Sequence, residues 1–107
     1  MNQRESPIAC VMDALTADER NRRAQLFSKI SEQAQETQEL PDGYAIRFEP
    51  DTTTWMRVAE FITFERRCCP FLAFSLNAED ENGAMWLRIT GRQGVKQFLA
   101  AALRFTK

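Results

Sequence analysis

The sequence predicts a single α+β domain: a mostly antiparallel four-stranded sheet carrying three helices in two layers, in the order β-α-β-α-β-β-α. Three observations predict it. The chain has 107 residues with an apolar fraction of 44%, enough for one core without staples and too little for two. Four short segments alternate apolar and polar residues, or run apolar, between turn residues. Three longer segments repeat apolar residues at helical spacing and begin at capping or helix-opening residues.

Taken in order, residues 1–6 are polar and expected to be disordered. Ile8, Cys10 and Met12 alternate with Ala9 and Val11, which predicts a short strand. Thr16-Ala17-Asp18-Glu19 has the form of a capping box, and a helix is expected from about Ala17 to Thr37. Its apolar face runs through Leu26, Phe27, Ile30 and Ala34, with the Arg23 stem before them. Pro41-Asp42-Gly43 is turn chemistry, with Gly43 supplying positive φ. Tyr44, Ile46 and Phe48 alternate with Ala45, Arg47 and Glu49 as a half-buried strand.

Asp51 or Thr52 caps the next helix, which should run to about Cys68 behind an apolar face of Trp55, Val58, Ala59, Phe61 and Ile62. Pro70 disfavours helical geometry at Cys69 and ends it there. Residues 71–76 then read as a strand. Asn82-Gly83 signals a hairpin turn, and Met85, Leu87 and Ile89 alternate on the return strand. Gly91-Arg92-Gln93-Gly94 breaks the sheet before a last helix with Val95, Phe98, Leu99, Ala102 and Leu103 on its apolar face.

Charge and composition exclude several classes of function. Lys plus Arg is 14 and Asp plus Glu is 15, a net charge of -1 that gives no electrostatic reason to expect a nucleic-acid partner. Arg20, Arg22 and Arg23 lie among acidic residues and read as a solvated helix face. No apolar stretch approaches the roughly 20 residues of a membrane span, and the N-terminus lacks the apolar segment of a signal peptide. The expected compartment is therefore the cytoplasm, where thiols stay reduced, and three cysteines also argue against a disulfide framework. Without histidine there is no Ser-His or Cys-His nucleophile pair, and no phosphate-binding glycine motif is present. The expectation leans away from an enzyme. The acidic cluster Glu79, Asp80 and Glu81 reads as a solvated turn.

The chemistry concentrates in Glu65-Arg66-Arg67-Cys68-Cys69-Pro70-Phe71, which sets two of the three cysteines side by side. On a helix, Glu65 shares a face with Cys68 and Cys69, three and four residues on. The same row should face the core, where a carboxylate needs a partner. Cys10 joins them if its segment lies near the strand that follows. Thiolates with a carboxylate suit zinc, or a thiophilic ion such as mercury(II) or arsenic(III). Cys10, Glu65, Cys68 and Cys69 are thus the candidate metal ligands.

Two alternatives stand beside this. The cysteines can be small buried hydrophobes in a homodimeric interaction module, with Trp86, Phe74 and the Arg88 side as an exposed aromatic patch on the open sheet face. Or they can be redox-active. A helix C-terminus and Glu65 both oppose a lowered thiol pKa. Adjacent α-carbons about 3.8 Å apart sit below the disulfide range, whereas a Cys10–Cys68 or Cys10–Cys69 bond is easier in geometry and unusual in a reducing compartment.

The run from Glu65 to Phe74, the later Trp86-Leu87-Arg88-Ile89-Thr90-Gly91, and Cys10 followed by Ala14-Leu15-Thr16 together resemble a family of small uncharacterised bacterial proteins. The resemblance covers most of the chain. It implies no established activity and assigns no residue a role; a link to heavy-metal handling is the most it implies.

Overall fold

The computed structural model describes residues 6–102. A 3-10 turn at Met12–Ala14 precedes α1 (Ala17–Gln33), β1 (Ala34–Leu40), β2 (Gly43–Phe48), α2 (Thr52–Cys68), β3 (Ala73–Ala78), β4 (Met85–Thr90) and α3 (Val95–Ala102). The four strands form one antiparallel sheet in the order β1-β2-β4-β3. The architecture is the expected α+β fold with three helices and four strands.

The identity of the first strand differs from the expectation. Residues 8–12 form no strand; Val11 and Met12 are exposed and lead into the 3-10 turn. A five-residue alternation is too short to hold a sheet position without a neighbour to pair with. The fourth strand comes instead from Ala34–Leu40, where a continuation of the helix to Thr37 was expected. α1 stops at Gln33, because Ala34 is already extended, with φ −65° and ψ 128°. β1 is an edge strand and mostly polar, so it lacks the apolar alternation by which strands are recognised.

The hairpin from β1 to β2 pairs Leu40 with Gly43 around Pro41-Asp42. Gly43 is not among the positive-φ residues; a Cβ there would run into the carbonyl of Ile89 on β4, so glycine serves close strand approach. In the second hairpin Glu81 and Asn82 have φ of 58° and 54°, and Gly83 N–H donates to Asp80 C=O at 2.9 Å. The positive-φ pair expected at Asn82-Gly83 thus sits one residue earlier.

One sheet face, with Ile46, Phe48, Met85, Leu87 and Ile89, packs on Leu26 and Ile30 of α1, Val58 and Phe61 of α2, and Val95 and Leu99 of α3. Each such side chain contributes about 1.5–3 kcal/mol when fully buried. Phe74 pairs with Ile89 and lies on this helix-covered side, whereas Trp86 pairs with Arg47 and Asn77 on the other. The expected patch of Trp86 with Phe74 does not form, because the two occupy opposite faces. Trp86 instead donates its Nε1–H to Glu79 at 3.2 Å. No described helix is long and apolar enough to cross a membrane. Leu103, expected on the last helix, lies outside the described residues, as does the expected disorder of residues 1–5; Ser6 accepts a hydrogen bond from Arg92.

Candidate functional site

The site forms where α2 ends. The last carbonyls of a helix have no partner within it, and here the chain around them supplies donors. Cys69 N–H donates to Glu65 C=O at 2.7 Å, and Val11 N–H donates to Cys68 C=O at 2.7 Å. The second bond draws residues 8–12 alongside the helix terminus. Cys10 arrives beside Cys69, and the two form a disulfide with Cα atoms 4.6 Å apart and a sequence separation of 59. The expectation of three reduced thiols is corrected: the approach of the two backbones puts this pair within the 4.4–6.8 Å a disulfide needs. Cys68 is free and buried, with its Sγ 3.7 Å from Cys69 Sγ, within hydrogen-bonding distance and not covalently linked to it.

Glu65 is 5% exposed and lies on the buried row Thr54, Val58, Phe61, Glu65, Cys68 of α2. The partner its carboxylate requires is Arg23 of α1. The guanidinium donates from Nε at 2.5 Å and from Nη2 at 2.9 Å, a two-pronged ion pair. The same guanidinium sits 5.6 Å from the centre of the Phe61 ring. Cys68 Sγ–H donates to the carboxylate at 3.3 Å. Burial, then the nearby Glu65 charge, push the Cys68 thiol up to about 11. Cys68 is therefore a protonated donor near neutral pH.

The arginine cluster on α1 is a solvated face only in part: Arg22 is exposed as expected, whereas Arg20 and Arg23 are half-buried. Arg22 pairs with Glu60 at 2.8 Å, Arg23 with Glu65, and Arg20 donates to the Leu15 carbonyl at 2.7 Å. Arg67 of α2 returns to Glu19 at 2.7 Å and to the Ala14 carbonyl at 2.9 Å. Glu19 is also the second half of the expected capping box with Thr16. The Arg67 hydrogen bond, followed by that from the Thr16 backbone, holds the Glu19 carboxyl down at about 2. With Thr54 bonded to Gln33 at the other end, these contacts run antiparallel and fix the register of α1 on α2. That register delivers Arg23 to Glu65.

Beside the sulfurs is a cavity of about 200 Å³. Cys10, Cys69, Arg23 and Glu65 line it, together with apolar side chains that include Phe27, Leu72, Phe74 and Phe98. Phe98 is held edge-on to Phe71, ring centres 5.1 Å apart. Ligand atoms of Glu65, Cys68 and Cys69 all lie within 4.8 Å of one another. All four sequence-predicted site residues thus come together, Cys10 through its bond to Cys69. Sequence reasoning missed Arg23 as the partner of Glu65. The signal is an arginine on the otherwise apolar row of α1, a position at odds with the solvated face that its charged neighbours suggest.

Comparison with protein-family models, with curated proteins and with solved structures finds no match. The site is therefore read from its own chemistry.

Proposed function

We propose that the protein is a non-enzymatic, thiol-based binder of a thiophilic metal or metalloid ion, active in its reduced state. The observation that carries this reading is the convergence of every cysteine in the chain on one point at the end of α2. Reduction of the Cys10–Cys69 disulfide by a dithiol delivers two electrons and two protons and yields three thiols. As they deprotonate, Cys10, Cys68 and Cys69 become ligands for a soft or borderline cation: zinc, mercury(II) or arsenic(III). Glu65, held on both oxygens by Arg23, acts as the acceptor that orients Cys68 rather than as a ligand.

The test is native mass spectrometry of the reduced chain with zinc, mercury(II) and arsenic(III) added in turn. A stoichiometric mass increase is expected, absent from the Cys68→Ser/Cys69→Ser double variant. An increase of equal size in that variant ends the proposal.

A second reading, a thiol redox protein, is favoured by the disulfide with a third sulfur beside it. The raised Cys68 pKa weighs against it, since exchange needs a thiolate near ambient pH. Rapid, reversible exchange of the disulfide with glutathione near neutral pH is the result that supports it.

A further inference from the structure

The cavity beside the sulfurs narrows the class of ligand, and this step rests on the thiol-binder reading above. Cys10 and Cys69 line the cavity and Cys68 is not among its lining residues. Cys68 is fully buried, its thiol turned to the Glu65 carboxylate. A ligand entering here therefore meets two sulfurs, not three. The Arg23–Glu65 ion pair lines one side, its charges engaged with each other, and the rest of the wall is aromatic and aliphatic, with Phe27, Leu72, Phe74 and Phe98. A hydrated inorganic ion gains nothing from that apolar part of the wall.

Size points the same way. The cavity of about 200 Å³ is below the roughly 300–1,000 Å³ that drug-sized molecules occupy. An apolar cavity of about 150 Å³ lined by Leu, Ile and Phe accepts benzene. The space therefore suits one ring or a short alkyl group.

We infer that the site's preferred ligand is a thiophilic atom carrying one apolar organic group, an organo-substituted arsenic(III), bound through Cys10 and Cys69 with its organic group in the aromatic-walled cavity. The valences close. Arsenic(III) forms three bonds, one to the organic group and two to sulfur. Starting from the reduced protein and a hydrated species R–As(OH)₂, two As–O bonds break and two As–S bonds form. The two thiol protons leave with the hydroxides as two waters, and no electrons are transferred. Inorganic arsenite, lacking the organic group, keeps a hydroxide on its third valence or recruits Cys68 from its hydrogen bond to Glu65, and in either case leaves the apolar part of the cavity unfilled.

The full chain is reduced with a phosphine, which is oxidised to the phosphine oxide with oxygen from water as the disulfide becomes two thiols, and desalted. Phenylarsine oxide, methylarsenic(III) and sodium arsenite are then titrated separately, with adducts counted by native mass spectrometry. The same titrations on the urea-unfolded chain give the intrinsic preference of these thiols. The expected result is one phenylarsenic per chain, with affinity ordered phenyl, methyl, inorganic. The phenyl-to-inorganic ratio should be at least tenfold larger on the folded chain than on the unfolded one. Phe74→Ala, checked for native circular dichroism, should cut that ratio several-fold; the methyl-to-phenyl comparison needs no variant and stands if Phe74→Ala does not fold. A ratio equal in folded and unfolded chains overturns the inference while leaving the thiol-binder reading intact. Failure of all three compounds to bind the folded, reduced chain overturns both.

Discussion

Replacing Arg23 by methionine removes the guanidinium and keeps the apolar stem. Glu65, at 5% exposure, then keeps its carboxylate in the core with only the Cys68 thiol as donor. Removing one partner of a fully buried ion pair costs roughly 3–5 kcal/mol, whereas exposed pairs are worth about 0–1. Here the Glu65 side chain is 7% exposed and that of Arg23 23%, so water reaches one side of the pair. The expected loss for Arg23→Met is therefore about 2–4 kcal/mol. Against a total stability of roughly 5–15 kcal/mol this is a large fraction. In a domain of this size it lowers Tm by about 10–20 °C.

The assay is urea unfolding without reductant, so that the disulfide is the same in every protein compared. The midpoint should fall with the slope unchanged. Arg23→Met/Glu65→Met, which removes both charges, should recover most of the loss, because the cost lies in the uncompensated carboxylate. Arg23 also holds the Cys68 pKa down, so the thiol should titrate at higher pH in Arg23→Met. A loss below about 1 kcal/mol, or a double variant no more stable than the single one, would refute the reasoning.

Three further outcomes are expected. Reducing the Cys10–Cys69 bond should lower stability by about 4 kcal/mol in the chain-entropy account of a loop this long, read as a drop in urea midpoint that Cys10→Ser reproduces without reductant. Because the Cys68 pKa is raised from 9.0 to about 11, the folded state holds its proton more tightly than the unfolded chain; this contribution is complete below pH 9 and disappears as pH rises through 11, a slope that Cys68→Ala should flatten. Thr16→Ala should cost about 1 kcal/mol by removing the acceptor of the Glu19 N–H, with Glu19 then less available to Arg67.

How much of this was legible in the sequence depended on whether the signal was local. The capping box at Thr16, the stop at Pro70 and the alternation in β2 and β4 are set by near neighbours, and each fell where expected. β1 was not legible. As a sheet edge it buries little, so Gln35, Glu36 and Thr37 look like the tail of a polar helix. The contribution of residues 8–12 was misjudged for the converse reason: their alternation is real but their role is set by one long-range hydrogen bond, Val11 to Cys68. Glu65, Cys68 and Cys69 could be grouped from helical spacing alone. Cys10 could be joined to them only by conjecture, because strand order and chain reversal are not written in local pattern.

The disulfide and the proposed ligand compete for the same two sulfurs, and this ties ligand capture to stability. Oxidised, the chain is cross-linked between Cys10 and Cys69 and the segment before α1 is anchored to the end of α2. Reduced and empty, it loses that anchor and keeps only weaker ties, among them the Val11 and Arg92 hydrogen bonds. An arsenic or metal ion bridging Cys10 and Cys69 closes the same loop again, so it restores the chain-entropy contribution that reduction removed. The reduced protein should therefore be stabilised by ligand beyond the increment of RT ln(1 + [L]/Kd) measured for a site within one rigid element only in so far as affinity itself includes the ordering of residues 8–12. Hence weakening that segment's docking, as by Ile8→Ala, should reduce ligand affinity and leave the two sulfur ligands untouched. Equal affinity in Ile8→Ala and the parent chain would show that packing of this segment through Ile8 contributes nothing to ligand capture.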